Sequence, residues 1–204
     1  MVLYTIGHST HPIGDFIALL RKHGVEVVCD VRSSPYSRYN PQYNRENLVP
    51  ELKSAGMKYV FLGKELGPRS DQPSCYVNGK VSYRRLAETT AFAAGLKRLR
   101  EGMRRYHVAL LCAEKDPMTC HRTILICRQI RNESDIRHIL DDGEIERQPD
   151  LEMRLLRAHN LHQGDLFSSP EERMERAYDA QAKKIAYVAK PAADEAELAA
   201  GGAQ

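Results

Sequence analysis

Short apolar runs that each stop at a polar cluster are the strongest constraint on this chain. Val2 to Ile6 stops at Gly7-His8-Ser9, Val25 to Cys29 at Asp30-Val31-Arg32, Lys58 to Leu62 at Gly63, and Val108 to Leu111 at Cys112. Runs this short and continuous, β-branched in places, read as strands buried on both faces, the pattern of a parallel sheet. Segments of helical period lie between them. Ile13, Phe16, Ile17 and Leu20 mark one helix up to Gly24, and Leu48, Leu52 and Ala55 mark another that begins near Asn47. Leu86, Thr90, Ala93, Leu96, Leu99 and Met103 read as a single amphipathic helix of about five turns. Ile136 to Leu140 is a weaker fifth strand before a turn at Asp141-Asp142-Gly143.

This alternation predicts an α/β fold: a mostly parallel sheet of about five strands with helices on both faces, Rossmann-like, plus a C-terminal helical extension. The chain of 204 residues is long enough for one well-filled core. We expect the α/β domain over residues 1–148, a helical extension packing on it over 149–188, and a disordered tail over 189–204, where alanine, glycine and acidic residues dominate. Two loops are long for a compact domain, 33–47 and 63–82, and their glycines and prolines argue against regular helix. All four polar clusters fall at the carboxyl ends of strands, where open α/β sheets bind ligands.

Composition narrows the setting. A net charge of +3 is too small to demand a nucleic-acid or membrane partner. No apolar run approaches the roughly 18 residues that would cross a bilayer. Five cysteines, an odd number at scattered positions, and a start without signal-peptide layout point to a cytoplasmic protein with reduced thiols.

The chemistry concentrates in LLCAEKDPMTCHR, residues 110–122, read as strand, loop and helix. A cysteine at a helix start, as Cys120 is here, meets free backbone N–H groups and the positive end of the helix dipole, both of which favour thiolate. With His121, Arg122 or His8 beside it, that thiolate is a candidate nucleophile; the plainer reading is an inert buried cysteine. Cys112 and Cys120 can instead pair through a reversible disulfide or a metal, zinc or iron. The C-x7-C-H spacing lacks the compact pairs of structural zinc, so a metal would need His8 or another distant residue to complete its ligands. A phosphatase-like cradle lacks its arginine, since Met118 stands in that place, and it fails unless the carboxylates Glu114 and Asp116, which would repel phosphate, face away.

Asp30 and Arg32 point to the same side of their strand end, either as a structural ion pair or as a general base beside an anion-holding arginine. Glu114 offers a second carboxylate. The 33–47 loop interleaves Tyr36, Tyr39 and Tyr43 with Arg38 and Arg45, and Arg69, Arg84 and Arg85 extend a basic surface. Tyrosine faces stack on bases and arginines meet phosphates, so a nucleotide or single-stranded nucleic acid is a reasonable guest. Cys29 and Cys127 lie on apolar runs and read as core. His159 and His162 are left outside the site.

TIGHS (5–9), DVRSSPYS (30–37), LGKELG (62–67) and LLCAEKDPMTCHR (110–122) together resemble the domain-of-unknown-function family DUF488. The resemblance implies a Rossmann-like α/β domain whose marked residues are His8, Asp30, Arg32, Cys112, Glu114, Cys120, His121 and Arg122. It implies no reaction. We therefore expect a thiol- or carboxylate-dependent hydrolase or transferase acting on a small anionic ligand, nucleotide or nucleic acid. Cys120 or Cys112 would supply the thiolate, His121 or His8 the proton transfer, and Asp30 or Glu114 the acid/base carboxylate. Arg32, Arg122, Ser9, Tyr36, Arg38, Tyr39 and Arg69 would bind the substrate. The alternatives are a non-catalytic nucleotide- or nucleic-acid-binding module and a metal protein with Cys112, Cys120 and His8 as ligands. The sequence requires no cofactor and fixes no oligomeric state.

Overall fold

The computed structural model describes residues 1–164 and 167–189. Among the described residues eight strands are formed in chain order: β1 (Val2–Gly7), β2 (Val27–Asp30), β3 (Lys58–Phe61), β4 (Tyr76–Val77), β5 (Lys80–Val81), β6 (Val108–Cys112), β7 (Asp135–Ile139) and β8 (Ile145–Arg147). Six of them make one sheet in the order β3-β2-β6-β1-β7-β8. The first five in that order run parallel, and β8 closes the edge antiparallel to β7. This is the mostly parallel α/β sheet that the sequence predicts, with one more strand.

Alternation along the strands serves two core layers, because successive side chains leave a strand on opposite faces. Leu3, Cys29 and Leu110 enter one layer, and Tyr4, Val28, Ala109 and Leu111 the other. The second layer is covered by α1 (Ile13–Lys22) through Phe16, Ile17 and Leu20 and by α2 (Arg45–Ser54) through Leu48 and Leu52.

Two expectations need correction. The 63–82 stretch is not all loop: it contains a one-turn α3 (Gly63–Leu66) and the β4-β5 hairpin. Asn78 (φ 51°) and Gly79 (φ 74°) form the hairpin's two-residue turn, the Asn-Gly pairing that a type I′ turn requires. The single helix expected from Leu86 to Met103 is two, α4 (Tyr83–Ala87) and α5 (Thr90–Met103). The Thr89 hydroxyl accepts from the Phe92 N–H and starts α5 afresh, so local capping overrides the continuous apolar stripe.

After β6 the chain reaches a π-helical stretch, Arg122–Cys127, that continues into α6 (Arg128–Ile130). Then α7 (Gln148–Ala158) follows β8, and α8 (Pro170–Ile185) opens with a Ser169–Glu172 capping box. Leu155, Ala177, Tyr178 and Ala182 pack in the same layer as Ile124 and Leu125. The chain beyond α8 joins the hairpin: Val81 N donates to the Tyr187 carbonyl and Ala189 N to that of Gly79. The tail expected over 189–204 lies, apart from Ala189, outside the described residues. Among the described residues no helix is long and apolar enough to cross a membrane.

Candidate metal centre

Strand order decides what meets at the carboxyl edge. Gly7 pairs with Cys112 and Asp30 with Leu111, so β1, β6 and β2 end side by side. Beyond Cys112 the chain loops through Glu114 to Asp116, whose Oδ1 accepts from the Met118 N–H and caps a 3-10 turn, Pro117–Thr119. Cys120 is extended, and its carbonyl accepts from the N–H groups of Thr123 and Ile124, so the helix begins at His121. Its first turns are wound as π-helix, an uncommon form concentrated at functional sites.

This path brings Cys112, Glu114, Cys120 and His121 together, with one ligand atom of each within 4.8 Å of the others. His121 Nδ1 lies 3.4 Å from Cys112 Sγ and 3.9 Å from Cys120 Sγ. Its Nε2 lies 3.0 Å from the Val31 carbonyl oxygen, which can only accept, so Nε2 carries a proton and, in the neutral ring, the Nδ1 lone pair faces the sulfurs. Both thiols donate to Glu114 Oε2, at 2.8 Å from Cys112 and 3.0 Å from Cys120. Burial pushes the Glu114 carboxyl up, but the thiols, its own backbone N–H and His121 outweigh it and hold the group at about 2.

Cys120 corrects the helix-start argument. Complete burial pushes its thiol well above the ordinary range, Cys112 adds to the rise, and Arg122 and His121 offset only part of it. Desolvation beats the dipole here, and without a metal Cys120 is a thiol. Cys29, raised to about 12 by burial, and Cys127, also raised by burial, are core residues as expected.

The arginines expected to bind an anion are committed elsewhere. Arg122 is fully buried and donates to the carbonyls of Glu114 (2.6 Å) and Lys115 (3.2 Å) and to Thr5 Oγ1 (3.3 Å). It braces the loop that carries Glu114. Arg32 grips Asp30 with two bonds, Nε to Oδ1 at 2.9 Å and Nη2 to Oδ2 at 2.6 Å, while the Tyr59 hydroxyl donates to the same carboxylate. Asp30 and Arg32 therefore form the structural ion pair rather than a free base beside a free anion site.

His8 also leaves the expected ligand set. Its Nδ1 donates to the Ser9 carbonyl at 2.9 Å, its Nε2 faces Arg32 Nη1 at 3.3 Å, and its ring stacks on Tyr43 at 4.1 Å. Burial holds it down to about 4. His121 and Glu114 stand beside the sulfurs where His8 was expected. Ser9, with a positive φ of 47°, donates its N–H to the Ala113 carbonyl and ties the two loops together.

The remaining expected binding residues lie on the surface. Tyr36 and Tyr39 are 65% and 89% exposed and flank the exposed Arg38, whereas Tyr43 is buried with its hydroxyl on the His11 carbonyl. Arg69 is exposed and lays its guanidinium over the Tyr187 ring at 4.3 Å. A cavity of about 760 Å³ on the far side of the loop is lined by Lys115, Asp116, Pro117, Glu146 and Arg154 among others, and none of the four clustered donors reaches it.

Sequence reasoning also missed a buried relay behind Arg122. Thr5 Oγ1 donates to His138 Nδ1 (2.8 Å), His138 Nε2 to Gln148 Oε1 (2.9 Å), Gln148 Nε2 to the Tyr178 hydroxyl (2.6 Å), and that hydroxyl to Glu152 (2.8 Å). Gln148 and Glu152 share one turn of α7, but Thr5, His138 and Tyr178 come from distant parts of the chain with no shared spacing to betray them.

The sequence model of the domain-of-unknown-function family DUF488 matches residues 12–128, more than half of the chain. The chain belongs to the DUF488 family. Within this DUF488 chain the match contains all four clustered donors and stops one residue past the π-helical stretch, while TIGHS lies before its start. The comparison with curated proteins returned no match. Among solved structures, the chain is similar to a candidate phosphatase of the DUF442 group from Shewanella putrefaciens CN-32. The identity is 12% over 90% of this chain and 87% of that one, with a TM-score of 0.38.

Proposed function

We propose that this DUF488 chain is a metalloprotein that holds a zinc-type divalent cation on Cys112, Cys120 and His121, with Glu114 beside it. One observation carries the reading: His121 aims Nδ1 at two sulfurs 3.4 and 3.9 Å away while its other nitrogen is anchored on a backbone carbonyl. Tetrahedral zinc, at about 2.3 Å from sulfur and 2.0–2.1 Å from nitrogen, separates such ligands by about 3.6 Å. Metal-bound histidines typically anchor their distal N–H in this way. Two thiols and an imidazole are soft to intermediate donors that suit zinc and not magnesium or calcium. The raised Cys120 thiol is no obstacle, since a coordinating thiol is deprotonated outright by the ion.

The test is a zinc titration of metal-free protein against a competing chelator. One zinc per chain is expected. His121→Ala and Cys112→Ser should each weaken binding beyond the about 10–100-fold typical of losing an outer-shell partner. Substoichiometric zinc, or equal affinity in these variants, overturns the proposal.

A second reading rests on a separate observation, the exposure of Tyr36 and Tyr39 on either side of Arg38. We infer that this loop contacts a nucleotide or single-stranded nucleic acid by stacking and phosphate pairing. An oligonucleotide titrated at low salt should quench tyrosine fluorescence, and Arg38→Ala should weaken binding for all sequences and flatten its salt dependence. No binding at low salt removes this reading.

A further inference from the structure

We propose that the metal site keeps one coordination position open, with Glu114 as the hydrogen-bond partner and proton acceptor of a water held there rather than as a fourth ligand. The inference rests on the metal reading above. Its substance is hydrolytic chemistry at an uncharged carbon.

Separations between donors distinguish the two roles of Glu114. A carboxylate oxygen and a sulfur bound to one tetrahedral zinc sit about 3.6 Å apart, given bonds of about 2.0–2.2 and 2.3 Å. The His121 nitrogen meets that requirement, with separations from the two sulfurs on either side of it. Glu114 Oε2 does not: at 2.8 and 3.0 Å from the sulfurs it is at hydrogen-bond distance and must retreat from both at once to share the ion. Its backbone cannot help. The Glu114 carbonyl is clamped by Arg122 at 2.6 Å and pressed against Gly7, where a Cβ would lie 1.8 Å from it.

Loading the ion also removes the donors that now hold the carboxylate, because zinc-bound cysteines are thiolates and cannot donate. An ionised carboxylate only accepts, so Glu114 needs a new donor, and a metal-bound water at the fourth position is one. The cover over the site agrees. Cys112, Cys120 and His121 are each at most 4% exposed, while Glu114 is exposed as a residue on the loop even though its carboxylate, held between the two thiols, is desolvated. Structural zinc sites are closed on all sides, whereas catalytic ones keep three protein ligands and an open position.

In such a site Cys112, Cys120 and His121 would hold an ion that acidifies a water, the Glu114 carboxylate would take that water's proton, and the water oxygen would add to an electrophilic carbon. As the bond to the leaving group breaks, the Glu114 carboxyl returns the proton to it, so substrate and water become two products without an oxidant or a second cofactor. Two thiolates cancel the charge of the ion and Glu114 adds one more negative charge. This balance disfavours a phosphate dianion and favours an uncharged carbonyl or amidine carbon.

Cobalt(II) replaces zinc with a visible spectrum and reads the open position directly. The full chain loaded with cobalt should change its d–d absorption on addition of azide without losing metal. Glu114→Gln should keep cobalt affinity within about tenfold of the parent, while His121→Ala should lose far more. Zinc-loaded protein should hydrolyse p-nitrophenyl acetate faster than metal-free protein, and Glu114→Gln at full zinc content should lower the rate by about 100-fold or more. Tight cobalt binding with no response to azide, together with a Glu114→Gln loss as large as that of His121→Ala, overturns the open position and leaves the metal reading standing. A zinc-loaded protein no faster than the metal-free one overturns the hydrolytic assignment. Failure to bind either metal removes both readings together.

Discussion

Arg122 donates from Nη1 to the Glu114 carbonyl oxygen at 2.6 Å, from a side chain with no exposure to solvent. A buried guanidinium facing carbonyls and a hydroxyl, with no carboxylate among its hydrogen-bond acceptors in the described residues, is an uncommon use of a charge, because desolvating it costs several kcal/mol that neutral acceptors only partly offset. What it secures is position. The loop between Cys112 and Cys120 has its backbone held at Glu114 and Lys115, so the two sulfurs and the imidazole keep their spacing without a metal.

Gly7 tests that clamp from the other side. Gly7→Ala places a methyl group 1.8 Å from the Glu114 carbonyl oxygen, closer than real contacts come, and that carbonyl is backbone and cannot swing aside. We expect a loss of about 1–3 kcal/mol or more in urea unfolding, together with weaker zinc binding. Unchanged stability would mean that the loop moves freely and that the clamp has little rigidity.

Arg122→Met keeps much of the volume but removes every donor from the Glu114 and Lys115 carbonyls and from Thr5. Acceptors left unpaired in the core cost about 1–3 kcal/mol each, less the desolvation saved by removing the charge. The net expectation is a loss of about 2 kcal/mol by chemical denaturation. A more stable variant would show that the charge, and not the unpaired acceptors, dominates the balance.

Two buried histidines set the acid side of the stability profile. Burial holds His8 at about 4 and, with Arg122 adding to it, His138 at about 3, against an ordinary 6.5. Both are neutral in the folded chain, and between these values and 6.5 the unfolded chain binds protons that the folded chain does not. Stability is therefore fully present above about pH 6.5 and is lost as the pH falls from there towards 4, by up to about 3 kcal/mol per histidine. Glu114, held at about 2, extends the loss below its ordinary 4.5. Urea midpoints at pH 7.5 and 5 measure this, and His138→Gln should flatten the slope. Equal midpoints would contradict it.

Asp30→Asn removes the carboxylate that pairs with Arg32, the only one to do so among the described residues, and Arg32 is itself almost fully buried. Breaking one side of such a pair typically costs about 3–5 kcal/mol. The double variant Asp30→Asn/Arg32→Met should recover part of it, because no unpaired charge remains. Additive losses in the double-mutant cycle would mean that the two residues act independently.

Much of the site was legible in one stretch, since residues 110–122 carry both cysteines, the glutamate, the histidine and the arginine. Their presence at a strand end followed from periodicity alone. Their roles did not. His8 and His121 each adjoin a strand end or helix start, and spacing favours neither as the partner of the sulfurs. Asn78-Gly79 and Thr89 were readable signals, a hairpin turn and a helix cap, that the glycine- and proline-rich surroundings and the apolar stripe outvoted. The Thr5–His138–Gln148 relay left no trace in the sequence, because its members meet only when β7 lies beside β1.

By itself the sequence determined the five parallel strands, the alternation of helices with them and the gathering of polar residues at the carboxyl edge, because these depend on patterns a few residues long. The tertiary structure decided which groups face one another and in what state. The order β2-β6-β1 carries the Val31 carbonyl to His121, 90 residues away, and that contact settles the tautomer and turns Nδ1 towards the sulfurs. Burial, also a property of the whole fold, keeps Cys120 a thiol where its place at a helix start argued for thiolate. Local periodicity records neither, because desolvation and contacts across strands are sums over neighbours that the chain brings from elsewhere.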